Sequence, residues 1–404
     1  MPNYTIETIM VSKEINVLTP LQLYIISILK QSIVPDAPIS VIPEDSDVNA
    51  LANIIRRNGI TLTVYPAIKY DNSAKAKQLI QILKKDYYAS VKQALLQDKE
   101  GKLILKKLSN EGFDVIGLKG WELRLLYPSI TCRNMSDLDI LVRNFDYKQI
   151  EAVMARLGYT GHGESSWMHS NFTKNEITVE MHKRLTDDSD YIQKWEKSIW
   201  DRATRINDSE NIYRMSDEDY YIFHMLHLNK DFKNGSLGLR RIADTWLVNT
   251  AHSNMDKVYL KEFFDATGLS LFEERICAMA RSVFEGLAID HNSEIMLNHA
   301  LSVGIYGTRK SYQLGRIATM SDGSLKKGKF RSFMAAIFLP YSRMKAHFPK
   351  LQKYPFLLPF YWIVRILRQA KNYKENLRRL NYNELSKEDF DSMKELMSAG
   401  GIRV

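Results

Sequence analysis

The sequence predicts an α+β protein in which a small mixed β-sheet lies between two helical regions. Three observations carry this reading. Apolar residues recur at helical spacing before residue 109 and again after residue 216. Between those regions the texture changes to short runs of β-forming residues. One of those runs alternates strictly, with Ile177, Val179 and Met181 set against Thr178, Glu180 and His182, as in a strand with one buried face. The expected parts are an N-terminal helical region at 1–109, an α/β core at 110–215 and a C-terminal helical region at 216–404.

The elements follow in order. Residues 19–31 and 73–108 have helical periodicity, and Ser73 is placed to cap the second helix. FDVIGL at 113–118 reads as a strand, broken by Gly120. A short helix over 121–128 is expected to end before Pro128. DLDILV at 137–142 is a second strand, and 147–159 a helix closed by a glycine. Two further strands flank a hairpin turn at Lys174-Asn175. SDED at 216–219 resembles a capping box, with Asp in place of Glu, at the start of the helical remainder.

The 404 residues are enough for a sizeable core, and 45% hydrophobic with 25% charged residues is ordinary globular composition. The two cysteines, Cys132 and Cys277, have no metal-like spacing, so no disulfide partner is expected and a reducing compartment fits. Residues 1–15 lack the charged-then-apolar order of a signal peptide. No stretch approaches the roughly 20 apolar residues of a membrane span. The expectation is a cytoplasmic protein, with peripheral membrane association open because of where its charge lies. Of the net charge of +9, residues 326–380 hold +13, fourteen Lys or Arg against Glu375, and the other residues together carry −4.

Asp137 and Asp139 stand one residue apart at the mouth of an apolar strand and so project from one face. Two carboxylates that close repel, and one is driven to protonate unless a cation lies between them. A hard divalent ion resolves the conflict. Glu180, with His182 beside it, offers a third carboxylate on the polar face of the hairpin.

GLKG at 117–120, R-x-x-SDLDILV at 133–142 and VEMH at 179–182, in that order, resemble the nucleotidyltransferase superfamily related to DNA polymerase β. The closest likeness is to its bacterial branch of uncharacterised nucleotidyltransferases. The resemblance covers about 110–190 and extends more loosely to His224, His227 and LRRIAD at 239–244. It implies a nucleotidyltransferase core for the sheet, with NTP and a hydroxyl acceptor as substrates and transfer of a nucleoside monophosphate, expected to be AMP. It implies that Asp137, Asp139 and Glu180 bind Mg²⁺ or Mn²⁺ and carry catalysis, with Glu180 as base the lesser alternative. Gly117 and Gly120 would let backbone amides approach phosphates at a helix N-terminus. Lys119, Arg133 and Ser136 would contact phosphate oxygens. His182 and His224 are expected near the acceptor or hydrogen-bonded behind the carboxylates. The usual Gly-Gly or Gly-Ser of the phosphate turn is Lys-Gly here.

Plainer readings stand beside these. Asp139 could pair with Arg133 or Arg143, and Asp244 with Arg240 or Arg241. His162 and His169 carry no expected role. After Pro359, Trp362, Ile363, Ile366, Leu367 and Ala370 form an apolar stripe opposite Arg365, Arg368, Gln369 and Lys371 or Asn372. The plain expectation is a helix packed by its stripe with a solvated basic face. An anionic membrane surface or RNA bound through 326–380 is the alternative, as partner of an inactive nucleotidyltransferase-like module.

Overall fold

A computed structural model describes residues 18–163, 166, 168–186, 189–207, 210–369, 382 and 384–404. The leader reading at 1–15 and the assignments of Ala370, Lys371 and Asn372 lie outside the described residues.

Four helices come first: α1 (Pro20–Ile33), α2 (Val48–Arg57), α3 (Thr61–Ile68) and the long α4 (Ala74–Asn110). Ser73 caps α4 by accepting from the Ala76 amide. The sheet is mixed and seven-stranded among the described residues, and β1 is Val115–Gly117, followed by the four-residue α5 (Gly120–Leu123). Then come β2 (Leu138–Val142), α6 (Tyr147–Arg156), β3 (Thr160–Gly161), β4 (His169–Lys174) and β5 (Ile177–His182). After α7 (Asp190–Arg202), β6 (Thr204–Arg205) and β7 (Ile212–Arg214) complete it. The order is β3-β4-β5-β2-β1-β7-β6. β2 runs parallel to β5 and antiparallel to β1.

The pleat decides what each face meets. Leu138, Ile140, Val142, Val179 and Met181 point to one side, where Ile104, Leu105 and Leu108 of α4 and Ile150, Val153 and Met154 of α6 cover them. Each such side chain contributes about 1.5–3 kcal/mol on burial. Ile116, Leu118 and Leu141 point the other way, into a larger core that α1–α4 share with the helices after the sheet. The two helical regions therefore form one packed body, which the sequence pattern did not indicate.

The later helices are α8 (Asp217–Lys233), α9 (Leu239–Ala251), α10 (Lys257–Thr267), α11 (Ser270–Glu285), α12 (His291–Val303) and α13 (Arg309–Thr319). Ser216 caps α8 as expected, but the Asp219 carboxylate does not complete the box. It is taken instead by the Trp195 indole and the Arg202 guanidinium. The hairpin turn falls one residue later than expected, at Asn175-Glu176, because Asn175 is the residue that adopts left-handed backbone (φ 51°).

Beyond α14 (Leu325–Ile337), the short α15 (Tyr341–His347) and α16 (Lys350–Lys353) and the longer α17 (Leu358–Gln369) gather around a small core of Met344, Phe348 and Leu351. The expected facing of α17 holds for Trp362, which packs, and for Arg368, which is exposed, but not for the rest. Ile363, Ile366 and Leu367 are exposed, while Arg365 turns inward to donate to the Ala336 and Ile337 carbonyls that end α14. A guanidinium satisfies a helix C-terminus, and the small core has room only for Leu358, Tyr361, Trp362 and Val364. A C-terminal helix, Lys387–Ala399, packs back on α12 and α13. Among the described residues no helix is long and apolar enough to cross a membrane.

Candidate active site

The site grows from the register of two parallel strands. Asp139 of β2 lies directly opposite Glu180 of β5. Both project from the face away from α4 and α6, because Leu138, Ile140, Val179 and Met181 occupy the other. Asp137 stands two residues before Asp139, at the entry to β2. One oxygen from each of the three carboxylates lies within 4.8 Å of the others.

Their electrostatics differ. Burial first, then repulsion from Asp139, raises the Asp137 carboxyl. Burial would raise Asp139 as well, but the Lys119 ammonium and the His182 hydrogen bond reverse it and hold this carboxyl well below the usual range. Glu180 is likewise lowered, its burial outweighed by the hydrogen bond from His182. Lys119 Nζ donates to Asp139 Oδ1 at 2.6 Å. His182 Nε2 sits 2.9 Å from the same oxygen and 3.4 Å from Glu180 Oε2, and its Nδ1 lies 3.3 Å from the Arg184 carbonyl. That carbonyl fixes the ring so that Nε2 faces the carboxylates. The carboxylate partners outweigh burial and raise the His182 pKa.

Lys119 has left-handed backbone, φ 46° and ψ −115°, a conformation natural to glycine. Tyr220 holds the turn by donating to the Lys119 carbonyl at 3.0 Å. The strain coincides with the position where the resemblance expected a glycine, so here the turn is kept and a cation added.

The flanking glycines have another cause than the expected approach to phosphate. A Cβ on Gly117 would lie 2.3 Å from the Trp121 ring, and one on Gly120 2.6 Å from the Met135 side chain. Both serve packing, and α5 has only four residues, too short for a developed helix dipole. Ser136 donates to Asp137 at 2.8 Å. Arg133 does not pair with Asp139. Its Nε and Nη2 donate to Asp244 at 2.7 and 2.8 Å, and Tyr127 adds a third bond to that carboxylate. Arg133 and Asp244 are 4% and 0% exposed at their side chains, so the fork expected on phosphate is committed to a buried ion pair. Arg143 pairs with Asp114.

A cleft of about 340 Å³ opens beside the carboxylates, lined on the sheet side by Lys119, Ser136, Asp137 and Asp139. The opposite wall is helical: His227 and Asp231 of α8, Arg240 and Arg241 of α9, and Tyr306 and Tyr312 near the start of α13. His224 is not in it. It is buried, its Nε2 2.9 Å from the Thr245 hydroxyl, and burial lowers its pKa to about 3. His224, expected near the acceptor or behind the carboxylates, thus meets Thr245 instead, and on α8 it is His227 and Asp231 that face the cleft. His169, given no role by the sequence, stands close to the carboxylates. It lies opposite His182 in the β4–β5 ladder, with Nε2 3.6 Å from Glu180 Oε1.

The donor set fits a hard divalent ion, being three converging carboxylate oxygens, one of them raised by burial and by its neighbour's repulsion. A second set, His169, Glu180 and His182, shares Glu180 but turns His182 Nε2 toward Asp139.

A mixed sheet with two acids on one strand, a third in register on its parallel neighbour and a Lys-Gly turn at the end of the adjacent strand is a nucleotidyltransferase-type core. Residues 44–285 match a family described as "Uncharacterised nucleotidyltransferase", and the chain belongs to it. No curated protein and no solved structure matches the chain.

Proposed function

We propose that the protein is a metal-dependent nucleotidyltransferase that moves a nucleoside monophosphate, AMP in the first instance, from an NTP to a hydroxyl acceptor. The acceptor oxygen bonds to the α-phosphorus, the bond to the β-phosphate oxygen breaks, pyrophosphate leaves and the hydroxyl proton is released. The convergence of Asp137, Asp139 and Glu180, the first two of them lining the cleft, carries this reading. These three would hold Mg²⁺ or Mn²⁺, which when bound neutralises phosphate charge and acidifies the acceptor hydroxyl. His182 keeps Asp139 and Glu180 ionised and oriented. Lys119, held at Asp139 by a flexible stem, is within reach of a phosphate in the cleft. Ser136 orients Asp137.

The test is incubation with each α-labelled NTP, Mg²⁺ or Mn²⁺, and a panel of hydroxyl compounds and lysate. Pyrophosphate release that requires the metal and Glu180 supports the reading. Its absence with every NTP and acceptor marks an inactive module.

A separate observation favours a second role for 326–380. Phe356, Phe360, Ile363 and Leu367 recur at helical spacing and are 75%, 58%, 59% and 67% exposed, within the segment of +13 charge. Apolar side chains that stand in water beside Lys and Arg suit an anionic lipid surface. Sedimentation with phosphatidylglycerol vesicles should carry the protein down, and Phe360→Ser/Leu367→Ser should leave it in solution. Binding to RNA with a steep salt dependence and none to vesicles would replace the membrane reading.

A further inference from the structure

We propose that Arg240 forms the floor of an anion subsite at the helical end of the cleft, and that it takes a phosphate-class oxyanion of the acceptor. The word acceptor rests on the function proposed above; the anion subsite does not.

The argument is one of unmatched charge. Arg240 is 5% exposed, and its Nη1 donates to the Asn134 carbonyl at 3.2 Å and to the Asn134 side-chain oxygen. Its buried Nε has no partner. The neighbouring cations are matched: Arg133 by Asp244 and Arg241 by Asp231. Among the described residues no carboxylate lies within 4.0 Å of Arg240, so this cluster holds three guanidiniums and two carboxylates. The nearby histidines add no further positive charge, since burial lowers the pKa of both His224 and His227. A buried charge with no opposite charge beside it is strongly unfavourable, a state that a bound anion relieves.

The guanidinium is not sealed in the core, for it lines the cleft beside Tyr306 and Tyr312, 70% and 43% exposed. Tyr306 is presented by a turn between Gly304 and Gly307, both with left-handed backbone (φ 73° and 65°). These tyrosines lie beyond residue 285, where the family match ends, so this wall is built by a segment outside the matched region. Two aromatic faces beside a fixed cation suit a molecule with a flat or apolar part and an oxyanion. The oxyanion is assigned to the acceptor because the sheet wall has its own phosphate complement, in Lys119 and the cation its carboxylates would hold. The charges that act most strongly on Arg240 belong to Arg133, Asp244 and Arg241, none of them on β2 or β5.

The experiment uses inorganic phosphate as probe, at matched ionic strength, with and without Mg²⁺ and a non-hydrolysable ATP analogue. Melting midpoints and calorimetric affinities are read for the wild type, Arg240→Gln and Arg240→Lys. Phosphate should stabilise the wild type to the same extent whether or not the analogue is bound. Arg240→Gln should weaken phosphate at least tenfold, Arg240→Lys less, and without phosphate Arg240→Gln should melt no lower than wild type. Three results overturn the subsite: unchanged phosphate affinity in Arg240→Gln, a lower phosphate-free midpoint for that variant, or loss of the phosphate effect once the analogue is bound. Failure of the analogue to bind sinks the nucleotidyltransferase reading instead, while the Arg240→Gln comparison still decides the anion site.

Discussion

The two walls of the cleft hold the same kinds of groups in opposite proportion. The sheet wall has three carboxylates, Asp137, Asp139 and Glu180, against Lys119 and a His182 whose pKa is raised. The helical wall has Arg240 and Arg241 against Asp231, and the buried Arg133–Asp244 pair adjoins it. Within each wall most groups are paired at 2.5–2.9 Å; on the helical side those pairs are architecture, whereas on the sheet Lys119 and His182 hold Asp139 ionised. What remains after pairing is an acid surplus on the sheet and a cation surplus on the helices. The difference separates residues that hold the walls from residues with free capacity for a ligand, although all of them line or adjoin one cavity.

Asp139→Asn should give the largest change in activity. It removes a carboxylate proposed to bind metal but leaves a side chain of equal size, so transfer should fall by about 10³-fold, or ~4 kcal/mol, with cooperative unfolding retained. Pyrophosphate release beside a urea melt checks both halves. A variant that retains most of its activity would remove Asp139 from the chemistry.

Arg133→Met should sharpen the contrast by failing differently. It strands Asp244, which is 0% exposed, and breaking a buried pair by removing one partner costs about 3–5 kcal/mol. The urea midpoint should drop markedly, while the transfer rate per folded molecule changes little. A large fall in rate with unchanged stability would return Arg133 to the phosphate-binding role expected from the sequence.

The sheet wall was largely legible in the sequence and the helical wall was not. Strand alternation alone puts Asp137 and Asp139 on one face and Glu180 and His182 on another. Their meeting needs only that β2 and β5 be neighbours, which the resemblance implied. His169 was within reach of the same logic. A two-residue turn at Asn175-Glu176 pairs His169 with His182, and a turn one residue earlier would have paired it with Glu180, so either register sets it beside the carboxylates. Nothing local marks Tyr306 or Arg240 as cleft residues. Their positions depend on how α9 and the start of α13 pack against the sheet, which periodicity does not encode. The sequence also misread part of α17, where Ile363, Ile366 and Leu367 were taken as buried with Trp362 and stand exposed.

Lys119 allows a smaller test of the sheet wall, directed at its backbone. Lys119→Ala and Lys119→Gly both delete the ammonium that meets Asp139. They differ in that glycine accepts φ 46° without strain and alanine does not. The glycine variant should therefore be more stable than the alanine variant by about 1–2 kcal/mol in urea melts. Both should bind NTP about tenfold more weakly, the scale of one lost charge-assisted contact of ~1.4 kcal/mol. Equal stabilities would mean that the turn relaxes and stores no strain.

The smallest expected effect concerns the helical wall's own support, and its sign follows from burial. His224 is neutral in the folded protein because burial lowers its pKa to about 3, whereas in the unfolded chain it titrates near ~6.5. Below ~6.5 the unfolded state takes up a proton that the native state refuses, so stability falls as pH drops toward 3, by at most ~1.4 kcal/mol per pH unit. Most carboxylates are still ionised above pH ~5, which isolates the histidines between about 5 and 6.5. His224→Gln retains a hydrogen-bonding group for Thr245 and has no proton to take up. Its stability should fall about 1 kcal/mol less than that of wild type across that window. His169, His227 and His299, also lowered by burial, leave a residual slope of the same sign, while His182 opposes it. Parallel pH profiles for the two proteins would show that His224 is protonated or solvated in the fold, and would reopen the cleft-facing role that its burial now denies it.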